Sequence, residues 1–238
     1  MENENDFWFP GRWVGGIALV IAPVLLLIGV LLRIRFPFFF PEQLAAYQSN
    51  PSLLFASYSA FLAGNIFLWP AVMTLARLIG LKRPGWAIWG GSFVIFGLFA
   101  RTFHGGIDHL AFQLVNVQGL DSAVAAVSES YGAFHIVSVL SGTIMFGWVL
   151  LAIGAFLSGT LGAVRAVALA LMAILMLGVL KGSTVVSVIA TAGLCVAMCP
   201  LGIKVLREGE RPRLRDILFW SSAVMLVVVL LFFFGQAG

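Results

Sequence analysis

Charge is scarce in this chain. Only 10% of its 238 residues are Asp, Glu, Lys or Arg, 61% are hydrophobic, and the mean hydropathy is +1.05. A soluble domain carries about 25% charged residues. A water-soluble shell cannot be built from so few, so the hydrocarbon of a membrane must serve as solvent. Cysteine is nearly absent: Cys195 and Cys199 lie one turn apart in an apolar run, which excludes a secreted disulfide framework. Basic residues near the start are also lacking. The first charges are Glu2, Glu4 and Asp6, where a signal peptide would be basic, and no small-residue cleavage site follows the first apolar run. The chain is therefore expected to insert by its first helix. No phosphate-cradling loop, dinucleotide fingerprint or nucleophile elbow is present. The net charge of +4 reports orientation in a membrane protein and does not point to nucleic acid.

What is there is apolar length. A spanning helix needs about 20 apolar residues. Seven segments qualify, roughly 13–32, 52–80, 86–106, 130–157, 163–180, 183–203 and 217–234. Backbone polar groups find no partner in lipid, so the expected fold is an all-α integral membrane protein. It forms one polytopic domain over 1–238, a single bundle of about seven transmembrane helices. The short connections SGTLG and KGS predict antiparallel neighbours on either side of the fifth span.

Orientation follows from Lys and Arg. With the N-terminus inside, the inner loops collect Arg12, Arg77, Lys82, Arg83, Arg165, Lys204, Arg207, Arg211, Arg213 and Arg215. The outer loops collect only Arg33, Arg35 and Lys181. That asymmetry predicts N-in and C-out in a cell membrane. The inner segment 204–216 then reads as a topology determinant, with anionic lipid as its natural contact. The outer connection 33–51, RIRFPFFFPEQLAAYQSNP, interleaves Phe with Pro and cannot be a regular spanning helix. It predicts an interfacial surface segment.

One stretch breaks the apolar pattern: RTFHGGIDH, residues 101–109. At about 100° per residue, Arg101, His104 and Asp108 fall within about 60° of one another on one helix face, whereas His109 lies about 140° from His104. Gly105-Gly106 marks the place where the third span is expected to bend or stop. His135 opens the fourth span on the same outer side, so this topology gathers all three histidines at one depth. Ionisable groups inside a membrane are costly and mark functional sites by default.

Three chemistries suit such a cluster. His104, Asp108 and His135, with His109 as a substitute ligand, offer two imidazoles and a carboxylate to one transition metal, zinc or iron. The enzyme would then act on a lipid-like or amphipathic substrate, with Arg101 orienting its anionic group and Glu42 or Glu129 approaching as a base. Alternatively, His135 with His104 or His109 would ligate one b-type haem. A proton or ion path is the third, with Tyr58 and Asn65 extending the polar track. Beside these stands a structural reading, in which Arg101 and Asp108 are a salt pair. The chain is then a non-enzymatic accessory, immunity or permease subunit, working as a homo-oligomer or with a partner membrane subunit. Cys195 and Cys199, and the many glycines, read as helix-packing residues.

Overall fold

A computed structural model describes residues 8–130, 136–175, 178–208 and 213–237. These are helical, with no strand among them. The elements are α1 (Arg12–Leu32), α2 (Phe40–Ser49), α3 (Pro51–Gly80), α4 (Pro84–Gln118), α5 (Leu120–Ser130), α6 (Ile136–Leu157), α7 (Ala163–Ala170), a 3-10 turn (Leu171–Ile174), α8 (Val185–Arg207) and α9 (Leu214–Ala237). Six of the helices are long and apolar enough to cross a membrane: α1, α3, α4, α6, α8 and α9. The protein is a helical, multi-pass membrane protein. The chain divides into two units, Met1–Leu206 and Arg207–Gly238. The second consists mainly of α9, a long apolar helix.

Prolines start several helices where the missing N–H costs nothing: Pro41 in α2, Pro51 in α3 and Pro84 in α4. Within the first unit, small residues let neighbours approach closely. In α1 and α3, Gly29 meets Phe61 and Ser57 while Gly64 meets Leu26. In α3 and α4, Gly91 meets Ala76 and Gly105 meets Leu62. In α4 and α6, Gly90 meets Leu151 and Gly97 meets Ile144. As one number rises its partner falls, so each pair is antiparallel. The same holds for α1 with α8, where Gly16 meets Gly202 and the Cys199 thiol lies 3.8 Å from the Val20 carbonyl oxygen.

A main core joins α1, α3, α4, α6, α7 and α8 around Leu19, Leu26, Leu75, Leu98, Trp148 and Leu194. A second core joins α2, α5 and the upper part of α4 around Leu44, Tyr47, Leu54, Phe112 and Leu180. The Tyr47 and Phe112 rings stack there at 4.3 Å.

Three features differ from the sequence reading. First, α4 neither bends nor stops at Gly105-Gly106; it runs unbroken from Pro84 to Gln118. The reason is burial on both sides of the glycines. Arg101, Asp108, Ala111, Phe112 and Val115 form one buried stripe, and its packing outweighs the roughly 1 kcal/mol that each glycine costs a helix. At 35 residues and about 1.5 Å each, α4 exceeds a hydrocarbon core of about 30 Å. Its far end carries the second core. Second, the Phe/Pro-rich connection, expected as a non-spanning surface segment, is more ordered than that: it contains the ten-residue α2, which docks on α3, α4 and α5. Third, the segment 163–180 is not one helix. Regular helix ends at Ala170, a 3-10 turn follows to Ile174, and the next α-helix begins at Val185. Residue pairing shows that α6 and α8 run in the same direction, so this segment carries the chain back along the bundle.

Candidate functional site

The described residues between the 3-10 turn and α8, 175 and 178–184, are non-helical and lie in the first unit, and their backbone polar groups need partners. Side chains of α3 and α4 and the backbone carbonyl of Phe38 supply them. Arg101 Nη2 in α4 donates to the Leu175 carbonyl at 3.4 Å. One turn pair further along α4, Asp108 Oδ1 accepts from the Leu180 N–H at 2.6 Å. The Tyr58 hydroxyl in α3 has one hydrogen to share between the Lys181 carbonyl at 3.2 Å and Gln43 Oε1 in α2 at 3.0 Å. Arg33 Nε, at the end of α1, donates to the Ser183 hydroxyl at 3.0 Å. The Gly182 N–H donates to the Phe38 carbonyl at 2.8 Å. Gln43 also donates to the Pro37 carbonyl. Gly182 is required at its position: a Cβ there would sit 2.8 Å from Gln43 Nε2, the Phe38 Cα and the Pro37 carbonyl oxygen. Leu180 adopts a left-handed backbone, φ 50°, and Asp108 secures that strained residue.

Arg33, Tyr58, Arg101, Asp108 and the backbone they hold border a small cavity with water-accessible space of about 50 Å³. A single water needs roughly 10–15 Å³ on that scale, so the space holds a few waters or one small polar group. Arg33, Tyr58, Asn65, Arg101, His104, Asp108 and Lys181 line it. Arg33 and Arg101 are only 5% and 6% exposed. The Arg33 guanidinium stacks over the rings of Tyr58 and Phe61, at 4.5 and 4.6 Å, a cation–π arrangement that favours the charged form.

Hydrogen bonding leaves a remainder. Arg33 Nη1, Arg101 Nε and Arg101 Nη1 are buried with no partner, as is Asn65 Oδ1. An unmatched buried donor costs about 1–3 kcal/mol, and more when charged. The site thus contains two buried guanidiniums with unused donors and an unused amide oxygen around one small space.

The structure brings Arg101, His104 and Asp108 to this cavity on one face of α4, as their spacing predicts. Arg101 and Asp108 are not a salt pair among the described residues; each instead holds backbone of the 175–183 stretch. His109 is exposed, on another face of α4, with its ring 6.4 Å from that of Phe55. His135 lies outside the described residues. Among the described residues no group of three His, Cys, Asp or Glu side chains is placed to hold a metal. A haem pair would likewise depend on His135. Glu129 is exposed on α5. Glu42 faces a separate open groove shared with Asp121.

Arg33, Lys181, Gln43 and Ser183 belong to the site and were not singled out by sequence. Two of the three basic residues assigned to the outer side, Arg33 and Lys181, line the cavity. Their departure from the charge asymmetry was the available signal. The chain matches no protein-family model, no curated protein and no solved structure.

Proposed function

We propose that this protein binds the anionic end of an amphipathic molecule in the outer half of a cell membrane. The observation that carries the reading is the pair of buried arginines, Arg33 and Arg101, whose unpartnered nitrogens surround one cavity. Charged groups within a membrane bundle are retained at cost and serve ligand or ion pathways. An anion supplies the acceptors these guanidiniums lack, and its charge-assisted hydrogen bonds are about twice as strong as neutral ones. The lining offers donors, an imidazole and a carboxylate already engaged with backbone. That is an inventory for holding and orienting a group.

In this reading the chain crosses the membrane seven times, N-in and C-out. The broken segment 163–184 makes the fifth crossing between parallel α6 and α8. Irregular backbone is tolerated at membrane depth where it is buried in protein or lines a polar cavity, and broken crossings form binding sites in many transporters. The basic residues near the inner ends of α1, α3 and α8 support the orientation. A structural role has its own support, since Arg101 and Asp108 both brace backbone. Ligand response separates the two readings.

The test uses protein purified in a maltoside detergent and its thermal unfolding with decanoate, decyl phosphate or decanol. Ligands that bind only the folded state raise its stability by mass action. The anionic amphipaths are expected to raise the midpoint and decanol is not, and Arg101→Gln abolishes the difference. Equal responses to all three compounds would remove the anion-binding reading and leave the structural one.

A further inference from the structure

We infer that the anion received here carries a hydrogen-bond donor of its own beside the charge, as a 2-hydroxy carboxylate does; the inference rests on the anion-binding reading above. Asn65 is the first argument. It lies in α3, only 1% exposed, and it lines the cavity. Its Nδ2 donates to the Phe61 carbonyl one turn back, at 2.8 Å. That bond fixes the amide's orientation, because an oxygen turned toward Phe61 would meet a second acceptor. The atom left over is therefore Oδ1, and among the described residues it is buried with no partner. An amide oxygen only accepts, and a buried acceptor left unmatched is costly. An anionic oxygen cannot relieve it. A hydroxyl or an N–H can.

Helix register is the second argument. Gly105 of α4 packs on Leu62 of α3, and the two helices are antiparallel. Three residues on along α3 and three back along α4 put Asn65 level with Thr102, next to Arg101. Arg101 Nε and Nη1 are unpartnered donors, so unused donors and an unused acceptor stand at one level of the cavity wall. Arg33 Nη1 adds a donor from the end of α1. The matching head group has anionic oxygens for the arginines and a donor on a neighbouring atom for Asn65. A plain carboxylate offers acceptors alone. Size is the third argument. Space of about 50 Å³, at roughly 10–15 Å³ for each water, gives about three to five water-sized positions. The three oxygens of a 2-hydroxy carboxylate fill three of them, and the apolar remainder of the molecule leaves the cavity. A water in that place would also donate to Asn65. A ligand that displaces it keeps affinity only by reproducing its bond.

The experiment is calorimetric titration of the full chain in maltoside micelles with decanoate, 2-hydroxydecanoate, 2-methoxydecanoate and 1,2-decanediol. It is run at about pH 8, well above the carboxylate range. The methoxy acid keeps the extra oxygen and lacks the donor. The hydroxy acid is expected to bind about fivefold or more tighter than decanoate and the methoxy acid, the ratio set by one added neutral hydrogen bond. Asn65→Leu removes the acceptor and should abolish that preference while decanoate still binds. Where this variant fails to fold, the comparison of hydroxy and methoxy acids on the unaltered chain decides. Decanoate or the methoxy acid binding as tightly as the hydroxy acid overturns the inference and leaves the anion reading standing, with a water on Asn65. A preference that survives in Asn65→Leu also overturns it, because the donor then goes to another acceptor such as Asp108. Binding of no acid, or of the uncharged diol as tightly as the hydroxy acid, overturns the two readings together.

Discussion

Leu180 holds a left-handed backbone conformation and still satisfies its N–H, because Asp108 reaches it from a neighbouring helix. That contact predicts an unequal pair of substitutions. Asp108→Ala leaves the Leu180 donor buried without a partner and should cost about 1–3 kcal/mol. Asp108→Asn keeps an acceptor in the same place and should cost less than half as much. Unfolding of both variants in mixed micelles checks this, and equal losses would mean that the charge of Asp108 matters and its hydrogen bond does not. The sequence made part of this site readable. Helical spacing alone puts Arg101, His104 and Asp108 on one face, and the cavity lies on that face. It also suggested a salt pair, because two opposite charges on one face are a natural couple. What each actually bonds to is backbone some 70 residues further along the chain, and no local pattern encodes such a partner. Arg33 and Lys181 were hidden for a different reason. A basic residue at the end of an apolar run has a ready explanation as a topology signal, and that explanation masks a buried role.

At the level of elements, helix type was legible and helix limits were not. Gly105-Gly106 looks like a break because glycine weakens a helix by local propensity, yet tertiary burial overrides propensity in α4. The consequence can be measured. A Cβ at Gly106 would meet nothing within 4 Å, and the residue is mid-helix, so Gly106→Ala should stabilise the protein by about 0.5–1 kcal/mol. A break or hinge there would make the same change neutral or harmful. Gly182→Ala should behave oppositely, since its Cβ would press on Pro37, Phe38 and Gln43. A loss of about 1–3 kcal/mol is expected from such overpacking, together with weaker anion binding because Lys181 and Ser183 move with it. Thermal unfolding of the two alanine variants side by side reads both. The irregular stretch after Ile174 was illegible for a related reason. Its apolar residues Leu175, Val179 and Leu180 continue the hydrophobic run, and hydrophobicity cannot distinguish a regular helix from backbone braced by side chains.

For the whole molecule, the difference between six long helices and seven crossings turns on that same stretch. Packing makes α1 parallel to α4 and α6 parallel to α8, so the chain between α6 and α8 returns along the bundle whether or not it is helical. A count of long apolar helices omits that return because it demands regular helix. Reporter chemistry on the two faces decides the matter. Single cysteines in a background with Cys195→Ser and Cys199→Ser are expected to divide cleanly. Ser128→Cys on α5 is exposed and, with the N-terminus inside as proposed, should react with a membrane-impermeant maleimide on intact cells. Lys82→Cys, in the α3–α4 connection beside Arg83, should react only after permeabilisation. In the proposed topology α9 makes the last crossing, so a periplasm-active phosphatase fused after Gly238 should be active and the same enzyme fused after Arg207 should be silent. An active fusion after Arg207 together with protected Lys82→Cys would place α8 the other way round relative to α3. The return of the chain through 163–184 would then fail, and the cavity's place in the outer half would fail with it. The expected pattern instead sets the Arg33–Arg101 cavity where an amphipathic anion in the outer leaflet can reach it.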